Sequence, residues 1–186
     1  MEAIKNLKFE KIIKLTLITI VGSILITISA KVKIPFYPVP MTMQTFIILL
    51  IGITLGYKIG LATVALYLFE GIIGLPVFAS SPEKGIGITY FIGPTMGYLI
   101  GFLAAVYFAG FFKYDKGIIN TFLKLIFSVS FIYVFGLIWL GVLIGWDKPI
   151  FKLGAEPFLL AELFKMLLLL FLTPTLLKAK KLIKIT

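Results

Sequence analysis

Residues 41–77 read MTMQTFIILLIGITLGYKIGLATVALYLFEGIIGLPV, and the reading of this stretch decides the fold. A hydrocarbon core of roughly 30 Å takes about 20 helical residues, so the stretch is long for one crossing and short for two. A turn at Gly56, Tyr57 and Lys58 divides it into spans 41–57 and 59–75, both short or tilted. Outward from it, apolar runs place further spans at 12–30, 91–112, 118–142 and 159–177. The expectation is an all-α integral membrane protein, a bundle of six transmembrane helices. No polar linker divides the chain, so residues 1–186 are expected to form a single transmembrane domain.

Composition agrees. Hydrophobic residues make up 60% of the 186 and charged residues 14%, with a mean hydropathy of +1.11, which places the chain in the membrane class. The apolar run after the N-terminal lysines is too long for a signal-peptide core and is followed by Lys31, Val32 and Lys33 rather than a small-x-small cleavage site, so it is kept as the first helix.

All 18 basic residues are lysine and the net charge is +10, but they flank apolar runs instead of forming a nucleic-acid stripe. Lys5, Lys8, Lys11 and Lys14 precede the first span. Lys178, Lys180, Lys181 and Lys184 follow the last, and Lys58, Lys113 and Lys116 fall in turns between. The positive-inside bias puts all of these, and both termini, in the cytoplasm. The opposite loops carry Lys31 and Lys33, then Glu83 and Lys84, then Asp147, Lys148, Lys152 and Glu156, a smaller basic load partly cancelled by acids.

Cys and His are absent, which excludes disulfides, thiolate zinc sites and Cys or His nucleophile–base pairs. No metal or catalytic residue is expected, and an enzyme is disfavoured. Ionisable groups inside apolar spans are costly and mark functional sites by default; here they are Glu70, Glu162 and Lys165. Glu162 and Lys165 are three apart on one helix face, and either a structural ion pair or a ligand site satisfies that spacing. Around them, at the outer level, come the Pro35, Pro38 and Pro40 turn, which forbids a helix, then Thr42, Gln44 and Thr45, then Gly74-Leu75-Pro76-Val77-Phe78, and Gly93-Pro94-Thr95-Met96-Gly97-Tyr98. Trp139 and Trp146 reach the same level, Trp146 as an interfacial belt residue or a ligand contact.

Four segments in order resemble the signatures of the BioY family, the biotin-specific S components, or substrate-binding subunits, of energy-coupling-factor (ECF) transporters. They are Pro38-Val39-Pro40-Met41-Thr42-Met43-Gln44-Thr45, Gly74-Leu75-Pro76-Val77-Phe78-Ala79, Gly93-Pro94-Thr95-Met96-Gly97-Tyr98, and Pro157-Phe158-Leu159-Leu160-Ala161-Glu162-Leu163-Phe164-Lys165. The family usually has Asp at the position of Glu162, a Pro-Gly pair at Leu160-Ala161, and a second Gly at Met96.

The resemblance implies a subunit that captures biotin outside and delivers it with a membrane coupling protein and two ABC-type ATPases, in the cytoplasmic membrane of a bacterium or archaeon. Biotin is then the transported substrate and no cofactor is implied. No G-x-x-x-x-G-K-[ST] loop occurs in the chain, so ATP hydrolysis by that route belongs elsewhere. The implied substrate residues are Glu162, accepting ureido N–H bonds, and Lys165, which donates to the ligand or compensates Glu162. Gln44, Thr42 and Ser80 are neutral partners, Phe78, Tyr90, Tyr98 and Trp139 wall the rings, and Lys84 meets the carboxylate. Helix capping for the polar residues and bundle packing for the aromatics remain equally open. The family docks through a small-residue stripe on helix 1, whose equivalents are Thr19, Ser23 and Thr27, though such a stripe also serves to pack helix 1 in its own bundle. The rival reading is an autonomous proton-coupled carrier of a small organic anion, with Glu70 and Glu162 titrating.

Overall fold

The computed structural model describes residues 2–35, 37–115 and 117–183, with side chains described from 9 to 178 except 36 and 116. Phe36, Lys116 and Lys184, and the side chains of Lys5, Lys8, Lys180 and Lys181, therefore lie outside what it describes.

The chain opens with α1, Glu2–Lys31. Two short antiparallel strands follow, β1 at Lys33–Ile34 and β2 at Met41–Thr42, with Lys33 opposite Thr42 and Ile34 opposite Met41. Next come α2 (Gln44–Ile72), α3 (Gly87–Phe91), α4 (Met96–Phe111) and α5 (Gly117–Ile144). The chain closes with α6 (Ile150–Gly154), a 3-10 turn at Glu156–Phe158 and α7 (Leu159–Ile183). Among the described residues, four stretches are long and apolar enough to cross a membrane: Phe9–Lys31, Gln44–Ile72, Gly117–Ile144 and Ile150–Lys178; α4 is a shorter apolar helix.

The stretch α2 is a hairpin, not a rod. Gly56 interrupts it with φ 77° and ψ 169°, a conformation that glycine adopts without a Cβ penalty. The Gln44 side-chain amide donates to the Tyr67 hydroxyl at 2.8 Å, whereas on a straight helix those residues would stand roughly 35 Å apart. The expected turn at residues 56–58 is thus present, and six long helical segments result: α1, the two arms of α2, α4, α5 and α7.

Two differences of boundary bear on the site. The span placed at 91–112 is broken, with α3 ending at Phe91 and α4 starting at Met96, because Pro94 lacks the N–H that a continuous helix needs. The span placed at 41–57 begins at Gln44, because Met41 and Thr42 are used in the ladder to Lys33 and Ile34.

The α2 hairpin is the hub, packing on α1, α4 and α7, and α4 in turn packs on α5. Small residues set the closeness of the α4–α5 pair. A Cβ at Gly97 would lie 2.2 Å from the Phe135 carbonyl oxygen, and one at Gly101 would lie 2.6 Å from the Ile132 Cα, so only glycine permits the approach. On the outside, Val21 and Ile24 of α1, Ile119 and Val142 of α5, and Phe164 and Phe171 of α7 are all exposed. So much apolar surface belongs against lipid rather than water.

Candidate functional site

Glu162 and Lys165, near the start of α7, are both buried. Removing charges from water is costly unless they are paired and hydrogen-bonded, and here they are. The Lys165 ammonium meets Glu162 Oε1 at 2.6 Å and donates to the Thr42 carbonyl at 2.6 Å and Thr45 Oγ1 at 3.1 Å. The Thr45 hydroxyl donates to Glu162 Oε1 at 2.8 Å. A closed triangle of Glu162, Lys165 and Thr45 thus joins α7 to the start of α2.

The other oxygen, Glu162 Oε2, is buried without a partner in hydrogen-bond geometry among the described atoms. The Tyr133 phenol of α5 stands beside the carboxylate, within reach of its charge and as a side-chain hydrogen-bond neighbour, without completing a well-formed bond to Oε2. Glu162 and Tyr133 together line a partly open cavity with a free volume of about 60 Å³. Its roof is Val39, Pro40, Met41 and Thr42 of the α1–α2 connection, and Gln44, Tyr90, Tyr98 and Phe102 stand around it. Such a chamber, mostly apolar with a few convergent polar groups, has the build of a small-molecule site.

Glu162, Thr42, Gln44, Tyr90 and Tyr98, all anticipated from sequence, are brought together on this cavity. Gln44 is held by Tyr67, and its oxygen lies 3.2 Å from the Thr42 hydroxyl, which donates to it. Tyr98 is fixed by donating to the Gly154 carbonyl at 2.8 Å. Ser80 and Lys84 line an adjoining pocket that shares Pro40, Tyr90 and Thr95 with the main cavity. Phe78 stacks on Tyr90 with ring centroids 5.1 Å apart, bracing it without lining the cavity. Trp139 stands off the wall as well, its indole N–H donating to the Gly93 carbonyl at 2.8 Å. Lys165 also lies off the cavity wall.

On α1, Ser23 is buried and its hydroxyl donates to the Glu70 carboxylate. A Cβ at the neighbouring Gly22 would come 2.6 Å from the Thr63 methyl, so this part of the stripe packs on α2. Thr19 returns its hydroxyl to the Leu15 carbonyl at 2.9 Å, and Thr19 and Thr27 are half-buried. Glu70 does not line the cavity, so the two carboxylates of the proton-carrier reading serve separate places. In the loop between α2 and α3, a hydrogen bond from Lys33 at 3.3 Å, with the charge of Lys33 behind it, holds the Glu83 carboxyl below its ordinary range.

Reading by sequence passed over Tyr133, and placed Thr45 beside Thr42 and Gln44 without giving it a role in the site. Thr45 carried a signal in its place one position beyond Gln44. Tyr133 carried one as a lone phenol in an otherwise apolar part of α5, but nothing in the sequence says which face of α5 it occupies.

The BioY family profile matches residues 4–182. A Pyrococcus horikoshii protein named "Probable biotin transporter BioY" is 34% identical over 141 residues, covering 76% of this chain and 82% of its own length. The Thermotoga maritima protein named "Biotin transporter BioY" is 34% identical over 143 residues, covering 76% of this chain and 83% of its own. Among solved structures, the S-component for biotin from an ECF-type ABC transporter superposes with a TM-score of 0.74 at 26% identity, over 91% of this chain and 93% of that one. With the helical plan, the buried acid–lysine pair and these matches in agreement, the chain belongs to the BioY family.

Proposed function

We propose that the chain is the substrate-capture subunit of a biotin uptake system, an S component that binds biotin from outside and hands it to an ATP-driven ECF module of a coupling protein and two ABC-type ATPases. In this reading it crosses the cytoplasmic membrane of a bacterium or archaeon six times with both termini inside, and residues 1–186 act as one transmembrane domain. The lysine asymmetry supports the orientation, and the names of the relatives support the ligand.

The observation that carries the assignment is Glu162 Oε2, a buried carboxylate oxygen on a cavity wall that makes no well-formed hydrogen bond among the described residues and has only the Tyr133 phenol beside it. An unmatched acceptor of this kind is expensive, and a ligand bringing N–H donors relieves the cost. Biotin has two on its ureido ring. Its apolar thioether ring suits Tyr90, Tyr98 and Phe102, and its tail carboxylate has Lys84 and Ser80 available in the adjoining pocket. Thr42 and Gln44 hydrogen-bond each other beside the ring site, and Phe78 and Trp139 act from behind the wall. Docking to the coupling protein is assigned to α1, with Thr19 and Thr27 as its small positions.

Calorimetry on the detergent-solubilised chain alone tests this directly, with thiamine and riboflavin as controls. Tight binding of biotin and of neither control is expected; absence of biotin binding sinks the assignment. In cells, uptake is expected to depend on ATP and to survive an uncoupler while ATP is held constant. The opposite pattern transfers the function to a proton-coupled carrier.

A further inference from the structure

Residues 77–81, in the connection between α2 and α3, form no helix or strand, yet all five are buried. Buried backbone without regular structure has polar groups to satisfy, and here part of the answer comes from outside the loop. The ammonium of Lys31, the last residue of α1, donates to the Phe78 carbonyl at 2.7 Å and to the Ser81 carbonyl at 2.7 Å. The Ser81 hydroxyl lies 3.5 Å from the same ammonium. The Phe78 carbonyl also accepts from the Ser81 N–H and hydroxyl, but the Ser81 carbonyl has no second partner among the described residues.

This loop supports the cavity wall. Ala79 lines the main cavity, and Ser80 and Lys84 line the adjoining pocket. Phe78 stacks on Tyr90 and the Ser80 N–H donates to the Tyr90 hydroxyl at 3.1 Å, so the loop holds that ring by both its face and its tip. Lys31 itself lines neither space. A second link from the same side, Lys33 to Glu83 at 3.3 Å, joins two solvent-exposed side chains, and pairs of that kind are worth little. The charge-assisted bonds of Lys31 to two carbonyls are the stronger tie.

We infer that Lys31 is a positioning residue whose ammonium does the work of a bound cation, gathering the Phe78 and Ser81 carbonyls, folding residues 77–81 onto the end of α1 and so fixing Ala79 and Tyr90 on the cavity wall. The effect on ligand binding rests on the proposed biotin site; the folding of the loop does not.

Hydrogen–deuterium exchange on the full chain in detergent, without ligand, reads the loop directly, because the amides of Ser80, Ser81, Lys84 and Gly85 are all hydrogen-bonded within it or to Tyr90. Lys31 is itself exposed, so Lys31→Met strands no buried charge. It should speed exchange across residues 77–86 by roughly tenfold, the effect of losing a charged hydrogen bond, and leave α4 and α5 unchanged. Lys31→Arg keeps charged N–H donors and should hold exchange within about threefold of the unsubstituted chain. Unchanged exchange in Lys31→Met, or a rise shared by the whole chain, overturns the inference. Binding is read from the affinities of biotin and biotin methyl ester. A residue that acts through the wall weakens both by the same factor, within about twofold, when it becomes Met, and Lys31→Arg should restore both. A loss confined to biotin shows that Lys31 bonds the carboxylate, and faster exchange with no loss for either ligand shows that the loop does not set the wall; each overturns the binding half. If the unsubstituted chain binds neither ligand, the biotin assignment fails and the binding half with it, while exchange still decides the loop.

Discussion

In the proposed site Glu162 is the residue on which binding turns, because its two oxygens have divided tasks. Oε1 is consumed by Lys165 and Thr45 and Oε2 is left for the cavity. Glu162→Gln keeps the side chain's size but removes the charge, so the ligand's N–H bonds lose their ionic assistance. Biotin affinity should fall by about 1.5–3 kcal/mol, roughly 10- to 100-fold, in calorimetry. Thr45→Val removes the bridge between acid and lysine, two charge-assisted bonds internal to the protein, and should weaken binding less than Glu162→Gln, because those bonds are made with or without ligand. If Thr45→Val weakened binding as much as Glu162→Gln, the division between the two oxygens would be wrong. Glu162→Ala and Lys165→Ala are more severe, since each strands the partner's charge in a buried place. Each should weaken binding by a few kcal/mol while the protein remains folded in detergent.

Helices meet the site through glycine. A Cβ on Gly136 of α5 would lie 2.4 Å from the Tyr98 ring, and Tyr98 is at once a cavity wall and a donor to Gly154. Gly136→Ala should therefore move Tyr98, costing about 1–3 kcal/mol of stability by overpacking and weakening biotin binding in the same variant, read by thermal unfolding in detergent and calorimetry. Stability lost without any change in affinity would detach Tyr98 from the site. This is also the level at which sequence reading succeeds and fails. The α2 hairpin was legible, because Gly56 and Lys58 interrupt an apolar run that is long for one crossing. The Glu162–Lys165 pair was legible because three residues of separation puts both on one helix face. The β1–β2 ladder was not: the prolines at 35, 38 and 40 exclude a helix without naming what replaces it, and two-residue strands leave no period to read. Phe78 and Trp139 were expected on the ring wall from their level in the bundle alone. Which way a side chain turns depends on the neighbours it finds, here Tyr90 for Phe78 and the Gly93 carbonyl for Trp139.

For the molecule as a whole, hairpin and orientation stand or fall together. If α2 crosses once and returns, Lys58 at its turn lies on the same side as Lys113, in the connection between α4 and α5, and Glu83 lies on the other. If α2 were a single tilted crossing, Lys58 would sit near mid-bilayer, where a cation costs several kcal/mol, and the parity of everything after it would reverse. The exposure of Lys58, Glu83 and Lys113 and the absence of native cysteine make the distinction measurable. Single substitutions Glu83→Cys, Lys58→Cys and Lys113→Cys would be treated with a membrane-impermeant maleimide on intact cells and again after permeabilisation. Glu83→Cys should label in intact cells. Lys58→Cys and Lys113→Cys should label only after permeabilisation, because the lysine-rich turns are held inside. Labelling of Lys58→Cys and Glu83→Cys from the same side would remove one arm of the hairpin as a crossing, leaving the cavity roof and the acid–lysine pair without a common outer face. With the expected pattern, the roof at residues 39–42 opens outward, the side from which a captured vitamin must come.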